Sequence, residues 1–120
     1  MIIKRPETGD RSALTALWVQ AFGDTEEFIN TFFATGFSEM RCLLAEEKGD
    51  LLAALYWFDI SSRDQKMAYL YAVATAKAYR GQGLCRKLMS GTHEHLKYLG
   101  YAGAVLVPGE PSLFDFYGKM

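Results

Sequence analysis

The chain has 120 residues, half of them hydrophobic, which is enough for one domain with a real core and too few for two. A formal net charge of −1 supplies no global attraction to nucleic acid or anionic lipid, so any anion site has to be local. No apolar run approaches the roughly 20 residues of a membrane span, and the start MIIKRPETGD lacks the apolar segment of a signal peptide. Cys42 and Cys85, few and set in apolar surroundings, read as reduced, buried thiols rather than a disulfide framework. A soluble, cytoplasmic protein with no nucleic-acid or membrane partner is expected.

MIIKR predicts a short first strand, closed by Pro6 and Gly9. Asp10 is placed to cap a helix whose apolar stripe is Ala13, Leu14, Leu17, Trp18, Ala21 and Phe22, ending at Gly23. Asp24 and Glu27 have the spacing of a capping box for a second helix, with an apolar face of Phe28, Ile29, Phe32 and Phe33 up to Gly36. RCLLAEE (41–47) and LLAALYWFDI (51–60), separated by Lys48, Gly49 and Asp50, read as an antiparallel hairpin. A polar turn at Ser61 to Lys66 leads to a third strand, MAYLYAVAT (67–75). Leu84, Cys85, Leu88, Met89, Thr92, Leu96 and Leu99 keep a helical period of about four turns, with Gly100 placed as a left-handed terminator. AGAVLV (102–107) follows as a buried strand, parallel to the one before because a helix joins them. SLFDFYGKM at the end again has helical spacing.

Between the third strand of the meander and its helix lies AYRGQGLCRKLM (78–89). Unpaired amides in the first turn of a helix, the positive end of its dipole, and residues without a Cβ together favour a phosphate, and Arg80 adds charge beside it. Glycines between strand and helix also serve a simple bend, and spacing alone leaves both readings open. Gly81 and Gly83 are followed by Leu84, Cys85 and Arg86, which fits neither a P-loop nor a dinucleotide-binding fingerprint.

Arg80-Gly81-Gln82-Gly83-Leu84-Cys85 resembles the pyrophosphate loop of the GNAT superfamily of N-acetyltransferases, Gln/Arg-x-x-Gly-x-Gly/Ala, departing from it only at Cys85. The preceding LYAVATAKAYRGQGL and the order of elements over most of the chain resemble that family too. The resemblance implies an α/β (α+β) fold with a mixed sheet, a single GNAT-like domain over 1–120, and acetyl-CoA as co-substrate with no metal. It further implies that the fourth and fifth strands part to admit pantetheine. Main-chain groups at Val73, Ala74 and Thr75 would pair with the arm, and the Val73 amide would polarise the thioester carbonyl. The amides of Gln82, Gly83, Leu84 and Cys85 would receive the pyrophosphate, with Arg80 and Arg86 adding side-chain charge. The same AVAT segment also reads as a plain buried strand.

Acetyl transfer needs a neutral amine, a polarised carbonyl and a proton for the departing thiolate. By the resemblance, Tyr117, in Phe116-Tyr117, is the candidate acid; a helix tyrosine with its ring in the core is the alternative. Glu110 or a neighbour stands where many relatives carry an asparagine touching pantetheine. No general base stands out: Glu46, Glu47 and Asp59 read as solvated strand-end acids. His93 and His95, two apart, fall on different helix faces and do not make a helical metal pair. Trp18 and Trp57 read as core. Members of this family usually continue past this helix with two more strands, so the chain is expected to be truncated after the helix that follows the fifth strand. An open sheet edge would then favour a homodimer or strand exchange. The function expected is transfer of an acetyl group from acetyl-CoA directly to an amine; the alternatives are a non-catalytic acyl-CoA-binding module, or fragment, and a sheet that only mediates protein association.

Overall fold

The computed structural model describes residues 1–106, and the helix expected around Phe116-Tyr117, with Glu110, lies outside the described residues. Five strands form one sheet in the order β1-β2-β3-β4-β5. They are β1 (Ile2–Lys4), β2 (Cys42–Glu47), β3 (Asp50–Ser62), β4 (Gln65–Thr75) and β5 (Gly103–Leu106). The first four are antiparallel to their neighbours, and β5 runs parallel to β4. Helices α1 (Arg11–Phe22) and α2 (Glu26–Thr35) cover one face and α3 (Leu84–Tyr98) the other. This is the expected mixed sheet.

Alternation along the strands divides the core. Cys42, Leu44, Ala54 and Tyr56 point to α1 and α2, whereas Leu43, Ala45, Leu55 and Trp57 point to α3. Leu55, Leu70 and Leu88 are fully enclosed, each burial contributing roughly 1.5–3 kcal/mol. Both hairpins close through two-residue turns with positive φ at each residue: Lys48 (51°) with Gly49 (84°), and Arg63 (52°) with Asp64 (64°). Such turns match the twist of the flanking strands. The strands therefore run further than the sequence indicates: Glu47 pairs with Asp50 and Ser62 with Gln65, replacing the longer polar turn expected at 61–66.

Two caps differ from expectation. Asp10 Oδ2 accepts from the Glu7 amide at 2.8 Å, and the side chain makes no hydrogen bond at the start of α1. Thr25, not Asp24, caps α2, its hydroxyl accepting from the Phe28 amide at 3.1 Å. Asp24 is diverted because its Oδ2 accepts from Trp18 Nε1 at 2.9 Å. Phe28 is exposed rather than part of the buried face, which Ile29, Phe32 and Phe33 supply. Gly100, at φ 90°, follows α3 in the left-handed conformation expected of it.

Both tryptophans are core, as expected. Trp18 lies among Phe22, Phe28, Phe32, Phe33, Tyr56 and Tyr71. Trp57 Nε1 donates to Tyr101 Oη at 3.2 Å, and that hydroxyl donates to Asp59. Asp59, expected to be merely solvated, is thus committed to Tyr101 and faces Lys66 at 3.9 Å. His95 packs edge-on against Trp57, with ring centroids 6.0 Å apart. Its Nε2 is buried without a partner among the described residues. Burial first, then the Arg5 cation, holds the imidazole below its ordinary value of 6.5. A base whose folded pKa is depressed binds fewer protons folded than unfolded, so its stability is present above 6.5 and lost as pH falls below it. Urea denaturation at about pH 7.5 and about pH 5 should show lower stability at the acid value, with a smaller drop in His95→Gln. An unchanged drop in that variant would remove His95 as a cause.

Candidate active site

The site is built from the strand that bends. Ala54 faces Ala74 and Tyr56 faces Tyr71, so β4 uses two residues, Ala72 and Val73, where β3 uses only Leu55. Ala72 takes φ 51°, a left-handed conformation that an alanine adopts only at a cost of about 1–2 kcal/mol. The bulge places Tyr71 and Ala72 both on the α1–α2 face, then returns Val73 to the α3 face and Ala74 to the α1–α2 face. Among the described residues, pairing with β5 spans Met67 to Leu70, and β4 continues five residues further, to Thr75.

The main-chain direction beyond the bulge follows from hydrogen bonding. The Ala76 amide donates to Leu52 O at 2.7 Å, toward β3, so the Thr75 carbonyl in the same peptide plane points the other way. Alternation likewise turns the Val73 carbonyl and the Thr75 amide away from β3, toward the opposite edge of β4. Gln20 Oε1 of α1 accepts from the Lys77 amide at 2.8 Å and ties the strand exit to the helix layer.

A short 3-10 turn, Lys77–Tyr79, then leads to Arg80, whose Nε donates to Thr75 O at 3.0 Å. That bond folds the guanidinium back over the end of β4. Gly81 and Gly83 stand at φ 83° and 74°, where a Cβ is strained, and Gly83 is the N-cap of α3. The first helical bond is Lys87 N to Gly83 O, at 3.1 Å. Among the described residues, the amides of Gln82, Gly83, Leu84 and Cys85 have no intramolecular acceptor. Leu84 is buried and anchors α3 to the sheet, while Gln82, Cys85 and Arg86 are exposed.

Cys85 corrects the expectation of two buried thiols: Cys42 is buried and Cys85 is not. Although the residue as a whole is exposed, partial desolvation of its sulfur pushes the Cys85 thiol up, against a smaller opposing effect of its hydrogen bond with Thr75. It is a protonated thiol, not an activated nucleophile.

These elements enclose an open cleft of about 640 Å³. Val73, Ala74, Thr75, Arg80, Gly83 and Cys85 line it from the strand and loop, and Ala21 and Phe22 close it from α1. Eight of the ten residues singled out for cofactor binding line this cleft; Gln82 in the loop and Arg86 on the first turn of α3 are their chain neighbours and are not among its walls. Tyr117 lies outside the described residues. Glu46 and Glu47 are on the far side of the sheet, against Lys4 (3.5 Å) and the N-terminus (3.4 Å), and do not face the cleft.

A second cleft, of about 430 Å³, adjoins the first at Phe22 and at the Ala72–Val73 bulge. Asp24 and Tyr71 are among its walls. Burial, then Asp24 and Tyr69, raises the Tyr71 phenol above its ordinary value of 10.0 and keeps it protonated. Sequence reasoning missed this cleft. The residues were visible, but their meeting depends on the bulge, which no local pattern announces.

The chain matches the family described as the acetyltransferase (GNAT) domain over residues 3–120, and it belongs to that family. It is an N-acetyltransferase domain with the fold expected of one. Among curated proteins, an uncharacterized N-acetyltransferase of Escherichia coli K12, YhbS, is 25% identical over 122 residues, covering 98% of this chain and 72% of YhbS. The crystal structure of the E. coli YhbS in complex with CoA superimposes with TM-score 0.80 at 22% identity, covering 98% of this chain and 67% of that one. A GCN5-related N-acetyltransferase from Kribbella flavida gives TM-score 0.81 at 18% identity; the match covers 96% of this chain and only 31% of that longer protein.

Proposed function

We propose that this domain binds acetyl-CoA at the strand-loop-helix cleft and transfers its acetyl group directly to an amine. The observation that carries the reading is the set of amides from Gln82 to Cys85 without an acceptor among the described residues, at the start of α3 beside a cleft lined by Val73, Ala74 and Thr75 of β4. Those amides and the α3 dipole would hold the pyrophosphate, with the remaining guanidinium nitrogens of Arg80 and the Arg86 cation beside it. The outward Val73 and Thr75 main-chain groups would pair with the amides of pantetheine as an added strand. The YhbS structure with CoA and that of a Brucella melitensis GNAT acetyltransferase with acetyl-CoA, both of this fold, support that reading.

In the transfer, the amine lone pair attacks the thioester carbonyl carbon; the C–N bond forms, the C–S bond breaks, and the sulfur leaves as a thiolate. The nitrogen sheds a proton and the thiolate takes one up. A main-chain amide at Val73 would stabilise the carbonyl oxygen as negative charge develops. Tyr117 is the proposed proton donor to sulfur, on its match to the family's Phe-Tyr pair.

Calorimetry with acetyl-CoA tests the seat: absence of binding to folded protein would refute it. Free-thiol release across a panel of amines tests transfer. Tyr117→Phe should lower kcat by about 10²-fold or more with little change in acetyl-CoA affinity; full activity in that variant would contradict the role of the phenol.

A further inference from the structure

The second cleft says what kind of amine fits. It starts where the proposed coenzyme cleft ends, sharing Phe22 and continuing from Val73 to Ala72 along β4. Its walls are aromatic: Trp18, Phe22, Tyr69 and Tyr71. Among the described residues that line it, the only charged group is Asp24, and there is neither lysine nor arginine. Trp18 Nε1 holds Asp24 Oδ2 at 2.9 Å and fixes the carboxylate, while Oδ1 accepts from no described residue. The Trp18 ring is itself fixed, only 3% exposed and 5.7 Å from the Tyr71 ring.

We infer that the acceptor is a primary amine carried on an apolar body of aromatic size, with no anionic group beside the nitrogen, and that Asp24 receives its ammonium, which gives up one proton to solvent before the freed lone pair attacks. This inference rests on the proposed acetyl-CoA seat for its direction of attack. A carboxylate attracts an ammonium, and aromatic faces stabilise it further through their quadrupoles. The same arrangement disfavours an amino acid or a sugar phosphate, because the anion of such a molecule meets Asp24 and finds no cation among the described residues lining the cleft. An apolar body desolvates the aromatic walls, whereas a polyhydroxylated one leaves its hydroxyls with few partners.

The test uses the full chain with 2-phenylethylamine, phenylalanine and glucosamine as probes. The indole N–H resonances of the only two tryptophans, Trp18 and Trp57, are followed during titration, with and without CoA. The Trp18 signal should move saturably with 2-phenylethylamine, at least tenfold more tightly than with phenylalanine or glucosamine, while the Trp57 signal stays still. With acetyl-CoA present, Asp24→Asn should raise KM for 2-phenylethylamine at least tenfold, leave acetyl-CoA affinity within twofold, and narrow the preference over phenylalanine. Equal or better use of phenylalanine or glucosamine, no saturable Trp18 shift in either titration, or an unchanged KM in Asp24→Asn would overturn the inference. Failure of acetyl-CoA to bind, with the Trp18 shift intact, would instead overturn the coenzyme seat alone.

Discussion

Gly83→Asp is expected to weaken acetyl-CoA binding by between about tenfold and a thousandfold. The residue caps α3 at φ 74°, and a Cβ there meets no protein atom within 4 Å, so the new side chain is accommodated by the protein and projects into open space at the helix start. Its carboxylate would then stand within a few ångströms of the proposed pyrophosphate. Two like charges about 4 Å apart near a protein surface repel by up to about 4 kcal/mol, and each 1.4 kcal/mol is a factor of ten. Left-handed strain at the same position costs about 1 kcal/mol of folding stability, because aspartate tolerates that conformation better than most residues. Calorimetry together with a melting curve separates the two effects. Unchanged affinity in folded Gly83→Asp would refute the placement of the diphosphate at this helix start.

The second large effect concerns stability. Trp18 is buried, touches six aromatic rings and donates to Asp24, so Trp18→Ala removes packing from both helices and the sheet at once. A loss of about 3–5 kcal/mol is expected, a large part of the 5–15 kcal/mol that holds a typical domain folded. Trp18→Phe keeps most of the ring contact and loses the Nε1 bond, and should cost about 1–2 kcal/mol. Urea denaturation of both variants, followed by far-UV circular dichroism, measures the difference. A loss below 1 kcal/mol in the alanine variant would mean that the cluster repacks around the gap.

Much of this architecture could be read from the chain. The stripe from Leu14 to Trp18, the apolar runs flanking Lys48-Gly49, and the Gly81-x-Gly83 turn before Leu84 are local signals with local causes, and each formed the element it indicated. What was misread involved competition between partners distant in sequence or space. Asp24 has the spacing of a cap, yet the Trp18 indole takes its carboxylate, and Thr25 caps α2 in its place. Cys85 sits in an apolar helical pattern, yet it lies in the first turn of α3, beside the cleft, and is exposed. The bulge at Ala72–Val73 has no glycine or proline to mark it and shows only in the pairing of β4 with β3.

The loop between Arg80 and Cys85 offers main-chain nitrogens rather than side chains, and that has a consequence for how such a domain drifts through evolution. Groups every residue carries survive replacement of their side chains, provided the curve of the chain is kept. If the proposed seat holds, a domain of this kind would be free to alter its lateral decoration, and with it the amine it takes, without rebuilding the handle on a common donor.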